Sequence, residues 1–157
     1  MIKCEICIQA KSHRASFPLS MNKINTILFS LIHFDVWGPT PWPDESGIKW
    51  FVIFIDDCTR MTWLYMMKHK NEVFKIFQVF YSMVQTQFSA KIWVIRSDNG
   101  GEYINQEFQQ YFQKHGLQHE TTCPYTPQQN GISERKNKQI IEIARALLTE
   151  ERAPRRY

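Results

Sequence analysis

With 157 residues, 14% of them aromatic and 22% charged, the chain is one domain's worth of globular protein with enough apolar material for a core, which excludes a disordered segment. No secretory leader opens it, and its longest unbroken apolar run, Trp50 to Ile55, is far too short for a bilayer, so a soluble intracellular chain with no membrane partner is expected. The net charge of +4 gathers at one end: from Arg135 onward seven Lys and Arg face three Glu, which suits a polyanionic partner or, equally, a solvated helix face.

Cys4 and Cys7 form a C-x-x-C pair, half of a tetrahedral zinc site, but His13 alone does not complete the set of four, so bound zinc is not expected. Without a secretion signal the cysteines make no disulfide framework, and Cys58 and Cys123 read as small buried apolar residues. Lys11 to Asn25 has no apolar period and reads as a linker, so residues 1–26 divide from a domain at 27–157. Leu31 to Trp37 follows as a strand closed by Gly38-Pro39, with Asp35 inside it. A carboxylate in an apolar strand must be hydrogen-bonded, paired or bound to a metal, because an isolated buried charge costs several kcal/mol. A structural salt bridge would satisfy it as well as a metal would.

Trp50 to Ile55 and Met61 to Met67 read as two more strands of an antiparallel meander. Between them lies Asp56-Asp57-Cys58-Thr59-Arg60, whose acids are best read as turn formers bonding the local backbone and Arg60. Val73, Ile76, Phe77, Phe80, Val84 and Phe88 recur at helical spacing, predicting a helix over 71–88 with an aromatic core stripe. Trp93-Val94-Ile95 then predicts a buried strand that stops on Asp98 and the turn Asn99-Gly100-Gly101. An acid at a strand's C-terminal edge stands where open α/β sheets place ligands, although Ser-Asp-Asn-Gly-Gly also makes an ordinary turn.

Phe108, Tyr111, Phe112 and His115 mark a shorter helix ended by Gly116, with His115 a solvated last-turn residue, and Leu117 to Thr122 a fifth strand. A polar loop, Pro124 to Gly131, leads into a last helix from about Ile132 whose buried face is Ile140, Ile143, Ala144, Leu147 and Leu148. Glu134, Lys138 and Arg145 share a different face of it, where Glu134 and Lys138 are also spaced for a simple ion pair. Two strand acids, Asp35 and Asp98, and one helix acid, Glu134, can converge at one end of a sheet. Three carboxylates suit Mg²⁺ or Mn²⁺ and phosphoryl-transfer chemistry, with nearby cations for a phosphodiester backbone.

The words His33-Phe34-Asp35-Val36-Trp37-Gly38-Pro39, Phe54-Ile55-Asp56-Asp57, Arg96-Ser97-Asp98-Asn99-Gly100-Gly101-Glu102-Tyr103 and Pro124-Tyr125-Thr126-Pro127-Gln128-Gln129-Asn130-Gly131, followed by Glu134-Arg135-Lys136-Asn137, closely resemble the catalytic core of retroviral and retrotransposon integrases, most closely the copia type. The family's triad of Asp, Asp and Glu has 35 residues between its last two members, as Asp98 and Glu134 do here. The resemblance covers nearly the whole chain. It implies an α/β, ribonuclease H-like fold, a five-stranded mixed sheet flanked by helices, and a polynucleotidyl transferase that trims element DNA ends and joins them to target DNA.

On this resemblance Asp35, Asp98 and Glu134 are catalytic and hold two Mg²⁺ or Mn²⁺ ions. Gln129, Asn130, Arg135, Lys136, Asn137 and Lys138 contact DNA, while Asp56, Asp57 and Glu102 are scaffold. Homo-oligomers are implied, as is a nuclear or virus-like-particle setting for the parent element. Cys4 and Cys7 match only the Cys half of the family's zinc module, Ile141 stands where relatives often have a DNA-contacting lysine, and the chain stops before a C-terminal DNA-binding domain, so a polyprotein fragment is implied. Two other readings are a decayed copy that binds DNA without catalysis and a zinc-dependent interaction module resting on Cys4 and Cys7 alone.

Overall fold

The computed structural model describes residues 27–41, 45–98, 100, 106–121 and 131–150. They fall into two compact units, one of Ile24–Glu134 and another containing Arg135 onward. In the first, β1 (Leu31–Trp37), β2 (Trp50–Asp56) and β3 (Thr62–Met67) form the expected meander, and a 3-10 turn at Lys70–Glu72 leads into α1 (Val73–Phe88). The chain then returns as β4 (Val94–Ser97), crosses through α2 (Gln106–His115) and ends the sheet with β5 (Gln118–Thr121). Strand order is β3-β2-β1-β4-β5, and β4 runs parallel to both β1 and β5. The sheet is therefore mixed. A last helix, α3 (Gly131–Glu150), begins in the first unit and continues in the second.

Alternation along β1 sorts its two faces. Ile32, Phe34 and Val36 belong to the hydrophobic cluster that takes Phe77, Phe80 and Val84 from α1 and Phe108 and Phe112 from α2. His33, Asp35 and Trp37 consequently belong to the opposite face. The aromatic content predicted for α1 is core: Phe54 and Phe80 stack with centroids 4.2 Å apart and planes 7° from parallel, and Phe77 touches rings from β1, β2 and α2. Tyr81, one turn on from Phe77, is also buried, while Phe88 at the helix end is partly exposed against Phe29 and Trp63.

The β2–β3 connection is the turn that Asp and Thr suggested. The Asp56 carboxylate accepts the Phe29 and Thr59 backbone N–H groups, each at 2.9 Å, and the Thr59 hydroxyl at 2.7 Å. Arg60, in the left-handed region at φ 63°, pairs with Asp57 at 3.0 Å. These bonds use up Asp56 on the scaffold.

Four expectations change. Trp93 is 59% exposed and precedes the strand: its N–H and that of Val94 both donate to the Ser30 carbonyl, so the regular ladder starts one residue later, and the Lys91 ammonium lies 5.7 Å from its ring. His115 is half-buried against the rings of Tyr111 and Tyr81, because α2 packs its C-terminal turn on α1. Cys58 is half-buried in its turn and free. On α3, Ile143 and Leu147 are 52% and 58% exposed, and Ala144 is exposed too. Helical period marks out an apolar face but does not supply an element to cover it, and these positions stay exposed. Cys4, Cys7 and the linker, Cys123, Glu102 and the polar loop before α3 lie outside the described residues.

Candidate active site

Parallel pairing fixes where the two strand acids stand. Leu31 pairs with Val94, Ile32 with Ile95 and His33 with Arg96, each pair 63 positions apart, and Asp35 and Asp98 are separated by the same 63. The register carried two residues on therefore sets Asp35 beside Asp98, on adjacent strands about 4.8 Å apart and on the face opposite α1 and α2. Asp35 is buried at 9% exposure. Asp98 is half-buried just past the end of β4, where its Oδ1 accepts the Gly100 N–H at 2.9 Å. Two acids at one level of a sheet repel unless a cation lies with them, so this pair fits a divalent ion that prefers oxygen ligands.

Glu134 is exposed in the first turn of α3, the favourable end of a helix for an anion. It is not gathered with the other two: among the described residues no group of three or more His, Cys, Asp or Glu side chains is arranged to hold a metal ion. Lys138 pairs weakly with Glu142 at 4.0 Å, so the Glu134–Lys138 pair suggested by spacing is replaced by the next turn's acid. Arg135 and Lys138 are exposed, Lys136 half-buried and Asn137 buried, whereas Gln129 and Asn130 lie outside the described residues.

Below Asp35 on the same face sits a polar row that the sequence reading passed over. His33 is fully buried, and its Nε2 lies 2.9 Å from Asp57 Oδ1. Burial lowers the His33 pKa against the opposing pull of Asp57, so the contact is a neutral imidazole N–H donating to a carboxylate. Its Nδ1 is then a buried lone pair without a hydrogen-bond partner. Beside it Arg96 donates twice to Glu120 of β5, at 2.6 and 3.1 Å. The signal available in the sequence was period two: His33, Asp35 and the strand's apolar residues alternate. A second feature lies on the helix side of the sheet, where Ser97 is fully buried with its Oγ 2.9 Å from His119 Nε2 and 2.9 Å from the Asp98 carbonyl oxygen.

This sheet order and helix placement define the ribonuclease H-like fold of integrase catalytic cores. The integrase catalytic core domain of HTLV-2, solved in complex with magnesium in a dimeric form, superposes with a TM-score of 0.59 at 19% identity, over 79% of this chain and 75% of that one. A chain of the simian T-cell lymphotropic virus intasome, solved with the PP2A regulatory subunit B56 gamma, gives a TM-score of 0.60 at 18% identity over 85% of this chain and 46% of its own.

Residues 28–127 match the model of the integrase core domain, and the chain belongs to that family. It is 42% identical over 154 residues to the retrovirus-related Pol polyprotein from transposon TNT 1-94 of Nicotiana tabacum, covering 98% of this chain and 12% of that protein. It is 37% identical over 157 residues to the corresponding polyprotein from transposon RE2 of Arabidopsis thaliana, covering 100% and 10%. The chain thus spans about a tenth of the length of these relatives.

Proposed function

We propose that this chain is the catalytic core of a copia-type retrotransposon integrase, a DNA polynucleotidyl transferase region of the Pol polyprotein kind. The observation that carries the reading is the parallel β1–β4 register, which, continued two residues past its last pair of His33 with Arg96, sets Asp35 beside Asp98 on the face that also carries the His33–Asp57 pair. Asp35 and Asp98 would hold divalent cations, Mg²⁺ or Mn²⁺, with Glu134 as the third acid of a two-ion site. Such ions, when bound, ease deprotonation of an attacking oxygen and stabilise charge on the leaving one. The chain's own contributions are to hold two carboxylates at one level, to keep Asp98 oriented through the Gly100 N–H, and to offer Arg135, Lys136 and Lys138 to phosphates. Asn137, Gln129 and Asn130 complete the DNA-contacting set.

In this reading the substrates are the element's DNA ends, trimmed by hydrolysis and then joined through a 3′-hydroxyl to target DNA. The chain works as a homo-oligomer, in the nucleus or a virus-like particle of the parent element, and within residues 1–26 Cys4 and Cys7 correspond to the Cys half of a zinc module, followed by a linker. A second reading, a DNA-binding remnant without catalysis, is favoured by one observation: the three acids are not gathered among the described residues.

Cleavage and strand joining on a labelled branched DNA in Mn²⁺ or Mg²⁺, comparing the wild-type chain with Glu134→Gln, separates the two. Metal-dependent activity that vanishes in the variant supports the enzyme. Folded, DNA-binding protein that neither cuts nor joins supports the remnant.

A further inference from the structure

The Ser97–His119 pair is unused by the function just proposed, yet it touches the residue at its centre. Its protons can be counted. The Asp98 carbonyl oxygen can only accept, so the single Ser97 hydroxyl proton is directed there, at 2.9 Å. Toward His119 the Ser97 oxygen must then accept, which requires the proton of His119 to be on Nε2, 2.9 Å away. The result is a directional relay, His119 Nε2–H to Ser97 Oγ, and Ser97 Oγ–H to the Asp98 carbonyl.

Its surroundings fix it in place. Ser97 is fully buried, so water cannot substitute for either partner. The His119 ring packs on Phe112 with centroids 5.1 Å apart, and burial lowers its pKa, which favours the neutral single-proton form. His119 pairs with Ile95 in the β4–β5 register, so the relay bridges two strands from different segments of the chain. Asp98 is thereby held twice, by its carbonyl from the helix side and by its carboxylate through the Gly100 N–H.

We propose that His119 and Ser97 are positioning residues that orient the Asp98 peptide, so that its carboxylate is presented to a divalent cation on the opposite face. The proposal deepens the function above and rests on Asp98 being a cation ligand. Outer groups that orient a ligand typically contribute 10–100-fold in metal affinity. Removing the relay should therefore weaken cation binding without removing a ligand.

The test is Mn²⁺ binding to the full chain, read from the electron paramagnetic resonance signal of free Mn²⁺, alongside the thermal unfolding midpoint. Ser97→Ala and His119→Leu should each weaken Mn²⁺ binding about tenfold. Ser97→Thr keeps the hydroxyl, and His119→Gln places an amide N–H near the position of Nε2, so both should return binding close to wild type. Recovery by donor chemistry, not by bulk, is what a packing role would not give. Should His119→Leu fail to fold, the Ser97→Ala and Ser97→Thr pair decides alone.

Asp98→Asn separates the two layers. If it abolishes binding while Ser97→Ala and His119→Leu leave it unchanged, the relay is overturned and the cation reading stands. If Asp98→Asn has no effect, the cation reading fails and the relay falls with it. Nitrogen NMR of the His119 ring gives a readout independent of metal: a proton on Nε2 is required, and one on Nδ1 alone overturns the relay.

Discussion

Replacing Asp56 by alanine should cost stability and nothing else. The side chain is fully buried, and so is Phe29, whose N–H it accepts at 2.9 Å; with the carboxylate gone that donor is left without a partner inside the protein. A hydrogen bond to a charged group contributes about 1.5–3 kcal/mol, and a buried orphan sits at the upper end. Thr59 is exposed, so its two donors turn to water and their loss adds about 1 kcal/mol at most. The sum is about 3 kcal/mol. With a urea slope of about 2 kcal/mol/M, the unfolding midpoint should fall by about 1.5 M, followed by circular dichroism and tryptophan fluorescence. Asp56→Asn should fall roughly half as far, since one amide oxygen still accepts but the NH₂ faces donors. A shift below about 0.3 M for the alanine variant would refute the turn-clamp argument. So would a stable variant that had lost Mn²⁺ binding, which would make Asp56 a ligand.

Phe77→Ala should destabilise the fold by about 3–5 kcal/mol, because its ring meets rings from two strands and α2, and calorimetry should show a strongly lowered or absent transition. Gly38→Ala and Gly47→Ala should differ. Both have positive φ, but a Cβ at Gly38 would lie 2.7 Å from the Lys49 carbonyl oxygen, while at Gly47 it meets nothing, so only backbone strain of about 1–2 kcal/mol is expected at Gly47 and clearly more at Gly38. Acidification should destabilise the protein. Burial lowers the His33 and His119 pKa values, so the unfolded chain takes up protons first; this stability is complete above about pH 6.5 and is lost as pH falls through the folded-state values. Urea titrations at pH 7.5 and pH 5 check the sign, and greater stability at the lower pH would mean that the attraction of Asp57 for a charged His33 prevails over burial.

The strands β1 to β3 and the helix α1 were legible because their signals are local: alternation, a run of aromatics at helical spacing, and Asp and Thr at a turn. Trp93 misled because a large apolar residue beside Val94 and Ile95 looks buried, whereas the ladder's starting point depends on which carbonyl, here that of Ser30, the backbone finds. The stripe on α3 had the right period, yet Ile143 and Leu147 are exposed, because period alone does not say whether another element covers the face. At the candidate site the acids could be named one at a time. Their alignment could not, because it depends on the β1–β4 register, a relation between segments more than fifty residues apart. The His119–Ser97 contact was hidden for the same reason, and His33 was overlooked although its place two residues before Asp35 was visible.

That non-local pairing also sets an order of assembly. The hairpins of the meander close over roughly a dozen residues or fewer, whereas bringing Asp98 to Asp35 closes about 63, an entropic handicap of about 1.5 kcal/mol before any contact compensates. Contacts of this kind form late in folding. The meander can thus close before the two acids are brought together. Tryptophan fluorescence is weighted toward Trp37, Trp50 and Trp63 of β1 to β3, so a probe that needs both Asp35 and Asp98 is the more direct report on whether β4 has joined β1.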